Sequence, residues 1–154
     1  MIIVYRKPDN RTTGHRSTRV QFNEALEKMS EAITHLSKPT PDIIVCGDFN
    51  LPHATWPEGG VKSGVSADER NMIDDLVTFK NEFYLSQEVN TPTHRKGNVL
   101  DLIFTNNSEM LHSYECNDTI LSDHYLINAK INYKNEVQEN GEEAIRSETS
   151  TLIS

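Results

Sequence analysis

The sequence predicts an α/β domain in which helices cover one face of a sheet. Three observations carry that prediction. Apolar residues at Phe22, Leu26, Met29, Ile33 and Leu36 recur at the spacing of one helix face. Ile43-Ile44-Val45-Cys46 is a short apolar run flanked by turn residues, as a buried strand requires. Helical and strand patterns alternate along the chain, which is the order that builds layered α/β folds.

The elements follow in order. Met1 to Tyr5 reads as a strand and Arg6 to Ser17 as a polar loop. The helical stripe runs from Thr18 to Leu36, and Pro39 and Pro41 end it. Asp42 to Asp48 forms a second strand; Gly47 lets the chain turn, and Asp48 to Asn50 occupy the strand end. Leu51 to Gly64 is a loop rich in proline and glycine. Ser66-Ala67-Asp68-Glu69 has capping-box spacing and starts a second helix, with Ile73, Leu76, Val77 and Phe83 on its inner side. Tyr84 to Val89 reads as a short strand, Asn90 to Asn98 as a loop and Val99 to Thr105 as a strand. Asp101 interrupts that last apolar run, and a buried acid needs a partner. Met110 to Glu115 and His124 to Tyr133 read as further strands. Past Tyr133 the periodicity stops, so the domain is expected over residues 1–133 and a disordered acidic tail or linker over 134–154.

Bulk properties narrow the function classes. A chain of 154 residues supports one domain and one core. The net charge of −8 argues against a generic nucleic-acid binder, which would be basic. The charge is uneven, however. Arg6, Lys7, Arg11, Arg16 and Arg19 face only Asp9 at the start of the chain, so that stretch reads equally as a phosphate-contacting surface or a solvated loop. Cys46 and Cys116 make no disulfide framework and lack the spacing of a zinc site; a reducing compartment fits them best. No stretch is long enough to span a membrane.

Four polar blocks sit on or beside the apolar runs. They are Val4-Tyr5-Arg6, Gly47-Asp48-Phe49-Asn50, Thr93-His94 leading to Asn98-Val99-Leu100-Asp101, and Ser122-Asp123-His124. Acidic oxygens and an imidazole delivered from several strand ends are what metal-assisted phosphodiester cleavage needs. Asp48 and Asn50 lie two apart and share a face if the strand continues, where an acid and an amide together orient an attacking water. Alone, that tetrapeptide reads equally as a turn. Ser122 is a poor nucleophile, because its neighbour along an extended chain points away from it. His124 fits better as a donor to a phosphate oxygen, with Asp101 as the acid that orients it. Tyr5 and Thr93 carry hydroxyls able to reach a phosphate, or serve as core and turn residues. His15, His35, His53, His94 and His112 follow no metal-ligand spacing and receive no role.

Taken together, Val-Tyr-Arg-x-Pro at 4–8, Gly-Asp-Phe-Asn at 47–50, Thr-His-x-x-Gly-Asn-x-Leu-Asp-Leu-Ile-Phe-Thr-Asn at 93–106 and Ser-Asp-His-Tyr-Leu-Ile at 122–127 resemble the endonuclease/exonuclease/phosphatase superfamily. The third block is similar to the endonuclease domain of non-LTR (LINE-type) retrotransposons in particular. The resemblance implies a four-layer α/β sandwich of the deoxyribonuclease I-like type and a magnesium- or manganese-dependent phosphoesterase acting on DNA in the nucleus. Residue by residue, it implies that Asp48 aligns or deprotonates the water and that Asn50 is its amide companion. It implies that His124 stabilises charge on the phosphate, that Asp101 orients His124 and that Asp123 lies beside the metal. Tyr5 and Thr93 match phosphate-contacting positions.

One departure stands out. The family pattern takes an Asn and a metal-binding Glu from strands that precede the Tyr motif, and this sequence opens on that motif. The chain is therefore expected to be a C-terminal portion of the sandwich, impaired in catalysis, with an upstream segment or partner chain completing it. A non-catalytic remnant or interaction module of the same fold is the alternative, as is a phosphatase or RNase of another branch.

Overall fold

The computed structural model describes residues 1–6, 18–36, 41–134 and 145–152, the last segment and residues 133–134 as backbone alone. Nine strands and two α-helices occur among them: β1 (Ile2–Tyr5), α1 (Thr18–Thr34), β2 (Ile44–Asp48), β3 (Ala54–Thr55), β4 (Gly60–Val61), α2 (Ala67–Glu82), β5 (Ser86–Gln87), β6 (Asp101–Thr105), β7 (Leu111–Asn117), β8 (Leu126–Lys134) and β9 (Ile145–Leu152). Neither helix is long and apolar enough to cross a membrane.

The strands form a four-stranded sheet in the order β1-β2-β6-β5, a three-stranded sheet β7-β8-β9 and a small β3-β4 hairpin. One face of the larger sheet is apolar because Val45, Leu102 and Phe104 point to it, and both helices pack there. Helix α1 buries Phe22, Leu26, Met29 and Ile33; α2 buries Met72, Ile73, Leu76 and Phe79. The opposite face carries Ile44, Cys46 and Ile103, which pack against Ile127 and Ala129 of β8. Helices, large sheet and small sheet thus make three layers among the described residues. Burial pushes the Cys46 thiol up to about 11, as suits an inert core residue.

Several expectations need correction. Leu36 lies past the end of α1 and is exposed, so the stripe stops at Ile33. In α2 Met72 and Phe79 join Ile73 and Leu76 as the buried inner residues, and Val77 and the C-cap residue Phe83 are half-buried against the same core. Half of the capping box forms: Ser66 Oγ accepts the Glu69 N–H at 3.2 Å, while the Glu69 carboxylate turns to His53, accepting its N–H at 3.0 Å and its Nδ1 at 2.8 Å. The stretch 51–64 holds the β3-β4 hairpin, since Thr55 and Gly60 pair across a short turn. Ile145–Leu152 is not a disordered tail; it pairs antiparallel with the open edge of β8, where ladder hydrogen bonds reward even a polar sequence. Residues 135–144 and 153–154 of that tail lie outside the described residues, as do Lys7, Arg11 and Arg16 of the basic run.

The fold brings three strand ends to one place. Strand β1 runs parallel to β2 and ends with Tyr5 beside Asp48. Strand β6 runs antiparallel to β2, so its first residue, Asp101, lies opposite the last residue of β2, Asp48. Gly47 makes the first pairing possible. It adopts φ +137°, and a Cβ there would stand 1.9 Å from the Val4 carbonyl oxygen. We expect Gly47→Ala to destabilise the chain by at least about 2 kcal/mol, because a rigid backbone cannot yield to the added carbon. The midpoint of urea unfolding checks this; an unchanged midpoint would mean β1 does not pack on β2.

Candidate active site

Asp48 and Asp101 form the centre of the site. Both are buried, at 5% and 2% exposure. The β2-β6 register sets them side by side, and their carboxylate oxygens lie within 4.8 Å of each other and of a His124 ring nitrogen. Asp48 Oδ1 accepts the Asn50 N–H at 2.8 Å. Asp101 Oδ2 accepts from His124 Nδ1 at 3.0 Å, while its Oδ1, though buried, has no hydrogen-bond partner among the described residues.

This arrangement raises the Asp48 pKa from 3.8 to about 6. Desolvation is the largest cause, and the neighbouring Asp101 carboxylate adds to it; His124, the Asn50 N–H and Arg6 pull the other way. Two facing carboxylates with an orphan oxygen are a hard, anionic donor set. Such a set fits a divalent cation, which would relieve the repulsion.

The two remaining blocks are stitched to this pair. Thr93 is fully buried, and its Oγ1 accepts the N–H groups of Leu100 and Asp101 at 2.9 and 3.0 Å. That hydroxyl therefore fixes the start of β6. A direct phosphate contact from Thr93, as the sequence suggested, does not fit its complete burial. The turn closes with Gly97, at φ +81°, donating to the His94 carbonyl. The loop before β8 is then pinned to it: Tyr125 N–H donates to Thr93 O at 2.7 Å, and Arg95 N–H donates to Asp123 O at 2.9 Å. These bonds bring Asp123 and His124 to Asp101.

Asn50 departs from the expected geometry. Strand β2 ends at Asp48, and Asn50 takes the left-handed φ of +48° that asparagine tolerates. The two residues share a turn closed by the Asp48 carboxylate, not a strand face. Between them Phe49 is fully buried, edge-on to Phe104 at 5.4 Å, and anchors the loop. Arg6 donates from its backbone to Asp48 O and from Nη1 to Asn50 O. Tyr5 is 72% exposed on the same sheet face as Asp48, able to contact a ligand from that side.

Sequence reasoning gave His94 no role. In the structure it is buried, stacks edge-on against His124 at 5.0 Å and stands 3.0 Å from Asp123 Oδ2. Its N–H holds the Asp123 carboxyl below the usual range. The available signal was adjacency to Thr93 inside the motif, since no spacing rule marks it. His94, Asp123 and His124 form a second group with ligand atoms within 4.8 Å of one another.

The family model described as endonuclease-reverse transcriptase matches residues 1–128. This chain belongs to that family. It is an endonuclease/exonuclease/phosphatase-type domain of the LINE-like kind, and the match covers all four polar blocks. No curated protein matches it significantly. Membership in the endonuclease-reverse transcriptase family fits a site of acids and imidazoles at one sheet end.

Two outcomes follow from the geometry. Thr93→Val leaves the Leu100 and Asp101 N–H groups without an acceptor, at a cost of about 2–4 kcal/mol, while Thr93→Ser keeps most of the stability; denaturant unfolding compares the two. Asp48 gives a pH signature. Its folded pKa of about 6 exceeds the starting value of 3.8, so its stabilising contribution is complete at acid pH and is lost as pH rises through about 6. The full difference is on the order of 3 kcal/mol. Metal-free Asp48→Asn should therefore lack that slope and out-stabilise the wild type at pH 8. Parallel pH profiles of the two proteins would contradict the buried pair.

Proposed function

We propose that this domain is a metal-dependent phosphodiesterase that nicks DNA, leaving a 3′-hydroxyl able to prime reverse transcription. The observation that carries the reading is the convergence of Asp48, Asp101 and His124 at one sheet end, in a chain of the endonuclease-reverse transcriptase family. Magnesium or manganese at the Asp48–Asp101 pair, with Asp123 contributing from the neighbouring group as the family resemblance implies, would neutralise phosphate charge and stabilise the leaving oxygen. Asp48, kept ionised beside the cation, would align the attacking water and accept its proton. Asp101 holds His124 through Nδ1, and in the imidazolium form the ring's Nε2–H would donate to a phosphate oxygen as negative charge builds there. Tyr5, exposed beside Asp48, offers its phenol to the same phosphate. Water attacks phosphorus and the bond to the 3′ oxygen breaks, giving a 5′-phosphate and a 3′-hydroxyl. The four-layer sandwich and a nuclear location belong to this reading.

A weaker activity than the family's full pattern provides is part of the proposal. Among the described residues, no glutamate joins either ligand group. A non-catalytic module is favoured by that same observation. Nicking of supercoiled plasmid with magnesium decides between them. We expect slow conversion to open circles, falling by at least about a hundredfold in Asp48→Ala or His124→Ala. Unchanged rates in those variants, or no nicking by the wild type, would leave the non-catalytic reading.

A further inference from the structure

Both ring nitrogens of His94 are engaged. Lys96 N–H donates to Nδ1 at 3.0 Å. A nitrogen that accepts carries no proton, so the neutral ring bears its hydrogen on Nε2. Nε2 faces Asp123 Oδ2 at 3.0 Å and donates to it. The ring also lies at 90° to that of His124, 5.0 Å away, and the two residues form a β-bridge.

The two partners differ in what holds them. His124 is fixed by Asp101 on its far side. The Asp123 side chain is 64% exposed, and an exposed carboxylate samples several rotamers unless a directional bond selects one. The His94 N–H is such a bond, from a side chain only 8% exposed. Coordination of a cation by His94 is disfavoured, despite its proximity to Asp123 and His124. Binding through Nε2 would move the hydrogen to Nδ1, where it would confront the Lys96 N–H.

We propose that His94 is a positioning residue: locked as the Nε2–H tautomer by the Lys96 amide, it holds the Asp123 carboxylate in one orientation and backs His124. The consequence for function rests on the metal-dependent nuclease reading, whereas the tautomer does not. Partners that orient a ligating carboxylate are worth about 10- to 100-fold in metal affinity or activity.

Two substitutions separate positioning from loop packing. His94→Asn puts an amide oxygen where Nδ1 stands, keeping the Lys96 bond and losing the donor to Asp123. His94→Gln extends an amide nitrogen towards Asp123 and loses the Lys96 bond. Affinity for Mn²⁺ is read from broadening of the Asp123 amide signal, with nicking measured alongside. We expect His94→Asn to bind Mn²⁺ at least about tenfold more weakly and His94→Gln to stay within about threefold of the wild type. Thermal stability should fall in the opposite order. Affinity that tracks stability, equal losses in both variants or no loss in His94→Asn would overturn the proposal. A two-bond ¹H–¹⁵N spectrum of the wild type should show Nδ1 bare and Nε2 protonated; the reverse pattern would overturn it irrespective of activity. A wild type that shows this tautomer yet neither binds Mn²⁺ nor nicks DNA would sink the nuclease reading and, with it, the positioning role, while leaving the hydrogen bonds intact.

Discussion

The structure turns on the register between β2 and β6. Antiparallel pairing sets the last residue of one strand against the first of the other, and both are aspartates. A shift of one residue would send Asp101 to the helix-packed face and put Leu100 or Leu102 beside Asp48. Apolar burial on both faces forbids that shift. Val45 and Phe104 are buried on the helix side, and Cys46 and Ile103 on the side of the small sheet. The core therefore determines where the charges lie, and it holds them in an arrangement that repels.

That repulsion is the functional content of the fold. Burial and proximity raise the Asp48 pKa, and Asp101 keeps one oxygen without a partner. A protein selected for stability alone would not leave two acids so placed. The cost is offset by a wall of aromatic packing: Phe104 meets Phe49 and Trp56 edge-on at 5.4 and 5.7 Å. Around the pair, the Thr93 hydroxyl and the backbone of Thr93, Arg95 and Gly97 fasten the two histidine-bearing loops through hydrogen bonds. The motif residues thus divide into those that carry charge and those that hold the carriers still.

Much of this was legible in the sequence, for reasons specific to each element. The α1 stripe and the Ile44–Asp48 run carry periodic apolar signals strong enough to read directly. Asp101 stood out as an acid inside an apolar strand, and its partner His124 followed from the chemistry of an orienting carboxylate. Other features had no local signal. The two-residue strands β3 and β4 are too short to show a period. Strand β9 is polar, and only the free edge of β8 recruits it. The role of His94 depends on its loop meeting that of Asp123, 29 residues further along the chain, which spacing alone does not encode.

Asp48 and Asp101 face each other as a buried, cation-seeking pair. The most direct measurement follows the Asp48 carboxyl carbon by ¹³C NMR against pH, with and without saturating Mg²⁺. A midpoint near 6 is expected in the metal-free protein, with a shift to acid pH once the cation is bound. A midpoint near 4, unmoved by Mg²⁺, would contradict it.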